Sequence, residues 1–248
     1  MSRRQRDTTQ PTTEKHYRNK RISNENIVDI NVYRKLKQRV NLLPKNLAQE
    51  TFIEALENPT FDIVFAVGAA GTGKTYISTL YAIQCFKAGT VDKIVITRPN
   101  VALDDRDIGF LPGTILQKMS PWTRPIFDVF EEYFTVKEIT AMVEENVIEL
   151  VPLAYMRGRT FKNAIIILDE AQNTTKTSMM GTLTRLGEGS KMIVTGDTKQ
   201  TDRGTDNGLS DFVSRFEQSR RIQICYFGYK DIERHPVVGE ILKIYREE

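Results

Sequence analysis

One stretch of this chain combines glycines, a lysine and a hydroxyl in an order that suits the binding of phosphate groups. Residues 68–75 have the sequence G-A-A-G-T-G-K-T, which fits the pattern G-x-x-x-x-G-K-[ST], and they follow an apolar run at 61–67. Glycines allow the backbone to curl so that successive N–H groups point at one anion. Lys74 can then reach the β- and γ-phosphates of a nucleoside triphosphate, and the Thr75 hydroxyl can bind Mg²⁺. The stretch therefore predicts a nucleotide-binding phosphate loop.

Two adjacent carboxylates follow a second apolar run. Residues 164–168 are continuously apolar, as expected of a central parallel strand, and Asp169 and Glu170 come directly after them. Sheets of parallel strands bind ligands at the carboxyl ends of those strands. We expect Asp169 to complete the Mg²⁺ shell and Glu170 to polarise the attacking water. The pair indicates hydrolysis rather than passive binding, with an exposed acidic strand end as the alternative.

A third polar turn follows the apolar run at 191–195. Residues 195–202 have the sequence T-G-D-T-K-Q-T-D. Gln200 can hydrogen-bond a γ-phosphate or the attacking water without carrying charge. It would then sense whether the triphosphate is intact. An ordinary loop is the alternative for this turn taken alone.

These three turns require a sheet that brings strand ends together. Apolar runs predict strands at 61–67, 93–97, 147–151, 164–168, 191–195 and 222–227. Helical spacing predicts helices at 49–56, from the phosphate loop to about 88, at 123–134, 136–145, 176–186 and 206–217, and from about 230 onward. This alternation predicts an α/β fold with a doubly wound, mainly parallel sheet.

Composition separates a basic extension from the rest of the chain. Of 248 residues, 1–45 hold twelve Lys/Arg and four Asp/Glu, whereas the whole chain has a net charge of +3. We expect 1–45 to be a partly disordered extension and 46–248 to be one nucleotide-binding domain. The extension could hold RNA or single-stranded DNA electrostatically, or it could be a solvated tail.

The remaining composition indicates the compartment. No stretch approaches the roughly 18 apolar residues of a membrane span, and residues 1–6 lack the apolar centre of a secretory signal. Cys85 and Cys225 stand apart in apolar surroundings without metal-binding spacing. We therefore expect reduced thiols, a cytoplasmic protein and no membrane partner.

Several further motifs are spread along the chain. Together with the phosphate loop they are residues 97–99 (TRP), 109–113 (GFLPG), 152–160 (PLAYMRGRT), 169–173 (DEAQN), 195–197 (TGD) with Gln200 and Asp202, and 234–236 (RHP). In combination these motifs closely resemble the PhoH family over roughly residues 46–246. The resemblance implies a RecA-like P-loop NTPase fold, ATP as nucleotide and assembly into a homo-oligomer such as a hexameric ring. Some relatives with added domains unwind RNA. Ala69 stands where the family usually has proline, which matters little because the loop uses backbone N–H groups there.

The resemblance also assigns nucleotide contacts. Gln49 corresponds to the glutamine that recognises adenine in related helicases, where its amide pairs with N6 and N7; an ordinary surface glutamine is the alternative. The residues expected to contact the nucleotide are Gln49, Gly68, Ala69, Ala70, Gly71, Thr72, Gly73, Lys74, Thr75 and Tyr76.

One such domain leaves part of the developing charge on the phosphates uncompensated. Related motors add an arginine from a second domain or a neighbouring subunit. This chain therefore either assembles so that one subunit completes the site of another, or hydrolyses slowly. Arg157 and Arg159 are the main candidates, with Arg98 and Arg185 as others, and each could instead form a structural ion pair.

Two other functions stay open at this level. One is a phosphotransferase that moves the γ-phosphate to a small acceptor, although Glu170, Gln172 and Gln200 suit water activation better. The other is a nucleotide-dependent binding module without motor activity.

Overall fold

A single six-stranded sheet organises the chain. The computed structural model describes residues 30–34, 39–99, 115–200, 207–233 and 237. The strands are β1 (Ile63–Gly68), β2 (Lys93–Thr97), β3 (Ile148–Leu150), β4 (Ala164–Leu168), β5 (Lys191–Gly196) and β6 (Ile222–Phe227). Their order across the sheet is β3-β2-β4-β5-β1-β6, and every neighbouring pair is parallel. The three predicted turns therefore meet at one edge, after the adjacent strands β4, β5 and β1.

Helices cover both faces of this sheet. In chain order they are α1 (Asn31–Arg34), α2 (Leu47–Glu57), α3 (Lys74–Ala88), α4 (Ile115–Glu131), α5 (Val136–Glu144), α6 (Lys176–Leu183) and α7 (Gly208–Arg215). The helices α2 to α5 build a core on one face with buried Phe52, Phe86 and Phe130. Residues of α6 and α7, including Met179 and Leu209, build the core on the other face.

The predicted fold class is confirmed. Apolar runs of five or six residues form the strands because side chains on both faces are covered, and all five residues of β4 are buried. The predicted bounds of β2, β4 and β6 agree with the structure, and β1 begins two residues later and ends one later than predicted. The doubly wound arrangement follows from helices on both faces.

The largest difference from the predicted helix bounds is at α4. The helix predicted at 123–134 begins at Ile115 and ends at Glu131. Pro121 and Pro125 lie inside α4, where each removes a backbone donor, but α4 packs against α3 and buries Ile126 and Phe130. At the other end of the chain, Tyr229–Asp231 form a 3₁₀ turn, whereas most of the helix predicted from 230 onward lies outside the described residues.

Part of the basic extension packs on the nucleotide domain. Arg34 of α1 donates hydrogen bonds to the carbonyl oxygens of Phe86 and Val91 and forms an ion pair with Asp92 at 3.0 Å. Tyr33 donates to Glu145 at 2.7 Å. This segment therefore lies against the C-terminal end of α3, at the opposite end of that helix from the phosphate loop. The boundary predicted at residue 45 stays a prediction.

Two other sequence expectations concern cysteines and membranes. Cys85 and Cys225 carry free thiols, and burial raises the pKa of the Cys225 thiol to about 12. Across the described ranges, no helix has both the length and the apolar character needed to cross a bilayer.

Candidate active site

The phosphate loop owes its shape to glycines that other residues could not replace. Gly71 and Gly73 have φ of 83° and 85°, in the left-handed region that glycine adopts without strain. A Cβ on Gly73 would lie 2.9 Å from the Gln49 amide nitrogen. Gly68 has φ of 143°, and a Cβ there would lie 1.9 Å from the carbonyl oxygen of Phe227. The loop therefore lies in close contact with α2 on one side and with the end of β6 on the other.

Lys74 begins α3 and turns its ammonium back over the loop. Nζ donates to the carbonyl oxygens of Gly68 and Ala69, each at 2.7 Å, and to Thr72 Oγ1 at 3.3 Å. The side chain is buried with these partners. Its charge therefore adds to the positive end of the α3 dipole, which already favours an anion at this point.

Thr75 and Asp169 contact each other at the carboxyl ends of the strands. Thr75 Oγ1 donates to Asp169 Oδ1 at 2.9 Å, and Thr195 at the end of β5 donates to the same oxygen. Asp169 is only 4% exposed, so these hydroxyls supply much of its polar surroundings. A hydroxyl and a carboxylate oxygen side by side are the ligands that Mg²⁺ prefers. The donor set thus fits the metal role predicted for both residues.

Glu170 follows Asp169 in an unusual backbone conformation. Its φ is 53° and its ψ is 43°, which is left-handed and costs free energy for a residue other than glycine. The carboxylate accepts a hydrogen bond from the Gln172 amide nitrogen. The Gln172 oxygen in turn accepts the backbone N–H of Asp197 at 3.1 Å. Gln172 therefore links the acidic turn after β4 to the turn after β5.

Arg98 brings a positive charge to both acids from the end of β2. Its guanidinium lies 3.8 Å from Asp169 Oδ2 and 3.4 Å from Glu170 Oε1. The sequence left open whether Arg98 acts on another subunit or forms a structural ion pair, and here it pairs with the acids of its own chain. The adjacency of β2 and β4 in the sheet explains this placement.

These groups line one cleft of about 360 Å³ at the carboxyl ends of the strands, which we call the main cleft. Of the predicted site residues, it brings together Ala70, Gly71, Gly73, Lys74, Thr75, Tyr76, Asp169, Glu170 and Gln200. Gln200 is exposed, and its backbone N–H donates to the Asp197 carbonyl at 3.2 Å. Asp202 and residues 234–236 lie outside the described residues. Pro125 and Val129 of α4 also line the cleft, and no motif in the sequence marked them.

Gln49 stands beside this cleft rather than within it. Its amide nitrogen donates to the Thr72 carbonyl at 3.1 Å, and its oxygen accepts the Lys45 N–H at 2.9 Å. An amide has two N–H groups and two lone pairs, so one of each can still bind a ligand. Gln49 lines a neighbouring cleft of about 310 Å³ with apolar walls from Leu42 and Leu80.

Tyr76 lies on the border between the two clefts and lines both. Its hydroxyl donates to Glu132 at 3.2 Å. Burial, followed by the Glu132 carboxylate, raises the pKa of Tyr76 above its ordinary value. The phenol therefore stays a protonated donor at neutral pH.

The candidate arginines have different surroundings. Arg159 pairs with Glu149 at 2.6 Å and lies over the ring of Phe161, and Arg185 donates to the Gly181 carbonyl at 2.8 Å. Both have structural partners in their own chain and neither lines the main cleft. Arg157 is exposed and has no side-chain partner among the described residues.

The parallel sheet, the glycine loop and the acids at one strand edge define a P-loop NTPase-type domain. The sequence model of the PhoH family, whose description is PhoH-like protein, matches residues 41–246 of this chain. The chain therefore belongs to the PhoH-like protein family, as its motifs predicted.

Individual relatives show the same relationship. The chain is 41% identical over 203 residues to a PhoH-like protein of Synechocystis sp. and 40% identical over 203 residues to one of Bacillus subtilis. It is 42% identical over 208 residues to Protein PhoH of Escherichia coli K12. These alignments cover 81%, 81% and 82% of this chain, but only 61%, 63% and 58% of the respective relatives. The chain thus spans less than two thirds of the length of these relatives.

Proposed function

We propose that this protein hydrolyses ATP to ADP and phosphate with Mg²⁺ as cofactor. The observation that carries the proposal is the meeting of Thr75, Asp169 and Glu170 at the phosphate loop. A hydroxyl and a carboxylate 2.9 Å apart suit a metal ion, and the second carboxylate is held beside them. Phosphoryl transfer needs this kind of positioning and charge more than covalent chemistry.

In this proposal the two adjoining clefts bind different parts of the nucleotide. The loop N–H groups and Lys74 bind the phosphates in the larger cleft. The base enters the cleft of Gln49, whose remaining N–H and lone pair can pair with adenine N6 and N7. Apolar Leu42 and Leu80 supply walls for a planar base, and Tyr76 lies between base and phosphates. Adenine is favoured because its edge offers a donor and an acceptor side by side.

Thr75 and Asp169 would hold Mg²⁺ through their oxygens. When bound, the ion neutralises negative charge on the phosphates and orients them. Thr195 and Arg98 keep the Asp169 carboxylate in place.

Glu170 orients the water that attacks the γ-phosphate. One carboxylate oxygen accepts from Gln172 and the other lies near Arg98, so the group is fixed from two sides. The carboxylate can accept a hydrogen bond from water and take up its proton. Gln200, from the neighbouring turn, can donate to the γ-phosphate or position the same water.

A neighbouring subunit completes the site in this proposal. Arg157 is the favoured donor because it is exposed, whereas Arg159 and Arg185 are engaged within the chain. The protein would therefore work as a homo-oligomer such as a ring. We further propose that turnover is coupled to RNA or single-stranded DNA in the cytoplasm, with the basic segment 1–45 adding affinity.

Phosphate release in the absence of any acceptor tests this function. Purified protein with ATP and Mg²⁺ should release ADP and phosphate in equal amounts. Release that needs a small-molecule acceptor would instead indicate a phosphotransferase. Binding of ATP without release, with or without nucleic acid, would indicate a nucleotide-dependent binding module.

A further inference from the structure

A third cleft adjoins the phosphate loop on the face of the sheet opposite Gln49. We call it the β6 cleft; it has a volume of about 220 Å³, and its walls include Gly68, Asp197, Lys199, Val213, Tyr226 and Tyr229. Val213 belongs to α7, which packs on the second core, whereas the Gln49 cleft is lined by Ile77 and Leu80 of the first core. The two clefts therefore flank the loop from opposite faces.

The β6 cleft exposes two aromatic rings. Tyr226 is 63% exposed on β6, the last strand of the sheet, and Tyr229 is 46% exposed in the turn that follows. Single exposed aromatic residues are common and need no explanation. Two of them in one concave site form a surface on which planar groups can stack, because tyrosine offers a rigid ring with little side-chain entropy to lose.

Among the described residues of the β6 cleft, the accessible charges are positive. Lys199 Nζ lies 5.4 Å from the centre of the Tyr229 ring, and Lys230 is exposed beside it in the chain. Asp197, the single acidic residue among the described walls, is only 7% exposed and accepts the N–H of Lys199 at 3.0 Å. Asp231 is 5% exposed and accepts the N–H of Gly228. The acids are turned inward, so a ligand meets rings and ammonium groups.

We propose that the β6 cleft binds an unpaired base of a single-stranded nucleic acid. The base stacks on Tyr226 and Tyr229, and Lys199 contacts the adjacent phosphate. Stacking of this kind tolerates all bases and both sugars, because every base has a π face. The inference rests on the nucleic-acid coupling in the proposed function and does not require ATP hydrolysis.

The position of the β6 cleft connects this ligand to the nucleotide. The Phe227 carbonyl at the end of β6 lies so near Gly68 that a Cβ could not enter between them. Asp197 lines both the β6 cleft and the main cleft. A base bound at Tyr226 and Tyr229 therefore touches the two turns that hold the triphosphate, which gives a route for stimulation of turnover.

Binding of fluorescently labelled oligouridine RNA and oligothymidine DNA to the full chain, without nucleotide, tests the inference. Tyr226→Ala and Tyr229→Ala should each weaken binding of both strands roughly five- to hundredfold. Tyr155→Ala is the matched control. Tyr155 is 67% exposed and lies in the turn that follows β3, the edge strand on the opposite side of the sheet from β6. Tyr229→Phe should bind as wild type because it keeps the ring. Lys199→Ala should lower the slope of log affinity against log salt by about one.

Absence of nucleic-acid binding by the wild type would overturn the inference. Unchanged nucleic-acid affinity in both alanine variants would overturn it as well. A loss of ATP affinity with unchanged nucleic-acid affinity would assign the cleft to the nucleotide. A changed oligomer size by light scattering with unchanged nucleic-acid affinity would assign it to a subunit contact. Tyrosine-dependent binding in a protein that hydrolyses no ATP would support the β6 cleft while contradicting the proposed ATPase.

Discussion

Gln172 holds the carboxylate of Glu170 through its amide nitrogen while its oxygen accepts the Asp197 N–H at 3.1 Å. The acid proposed to orient water is therefore tied to the turn that leads to Gln200. Glu170 also has a left-handed backbone, with φ of 53°. A strained residue persists where its surroundings fix it, and such positions are frequent at active sites.

Replacing Gln172 should impair turnover more than binding. In Gln172→Ala the Glu170 carboxylate loses its donor, and misplacement by about 1 Å costs roughly 10²-fold in rate. We expect kcat to fall by about that factor, with the KM for ATP little changed, in steady-state phosphate-release assays. Gln223→Ala is the control, because Gln223 on β6 bonds only the Ile224 carbonyl among described residues. A normal kcat in Gln172→Ala would show that Glu170 needs no such support.

The contact between Gly68 and β6 predicts a steric effect. Gly68→Ala would put a Cβ 1.9 Å from the Phe227 carbonyl oxygen at a φ of 143°. We expect a loss of roughly 1–3 kcal/mol in the free energy of unfolding, together with weakened ATP binding. Gly181→Ala is the matched control: it lies in α6 with no atom within 4 Å of its added Cβ, and should be neutral or stabilising. Equal melting temperatures for both variants would contradict the close packing at Gly68.

Glu149 predicts a dependence of stability on pH. Burial alone would raise its pKa, but hydrogen bonds from Lys93 and Arg159 outweigh it and hold the pKa below the ordinary value of 4.5. A lowered carboxylate pKa contributes stability that is present above 4.5 and is lost as the pH falls through the folded-state pKa. Glu149→Gln should therefore be less stable than wild type at neutral pH by roughly 1–3 kcal/mol.

Urea denaturation at neutral and acidic pH measures this difference. The gap between Glu149→Gln and wild type should shrink once the pH falls below 4.5, and a gap independent of pH would exclude the ion pair as its cause. Asp128→Asn serves as control, since the 57% exposed Asp128 pairs with Arg124 on the surface. Exposed pairs of this kind contribute about 0–1 kcal/mol.

Arg157 should act on the site of another subunit. Arg157→Ala should lower turnover by about 10³-fold or more while ATP binding is kept. Mixing it with Lys74→Ala should restore part of the activity, because the second variant supplies the arginine and the first supplies an intact phosphate loop. Arg220→Ala, another exposed arginine, should have normal turnover. Equal turnover per chain in monomer and oligomer would contradict a donated arginine.

The sequence predicted those parts of the fold that depend on local patterns. Buried parallel strands need continuous apolar runs, so β2 and β4 could be located from their residues alone. The phosphate loop and the acids at 169–170 could also be found, because each directly follows an apolar run that predicts a strand. The bounds of α4 were wrong because the prolines weakened the local signal while packing against α3 decided the outcome.

Contacts between distant turns could not be predicted in the same way. The link from Gln172 to Asp197 depends on the left-handed turn at Glu170, and no glycine marks that conformation. The pairing of Arg98 with both acids follows from the order of strands, which periodicity does not reveal. The ion pair of Lys93 on β2 with Glu149 on β3 likewise depends on β3 lying beside β2.

The most direct test of the account is the identity of the nucleotide that each variant retains after incubation with radiolabelled ATP and Mg²⁺. Wild type should convert ATP to ADP, Glu170→Gln should retain intact ATP, and Lys74→Ala should retain neither. Conversion by Glu170→Gln at the wild-type rate would contradict the role of Glu170 in orienting water. Retention of ATP by Lys74→Ala at wild-type affinity would contradict the phosphate loop as the place where the nucleotide binds.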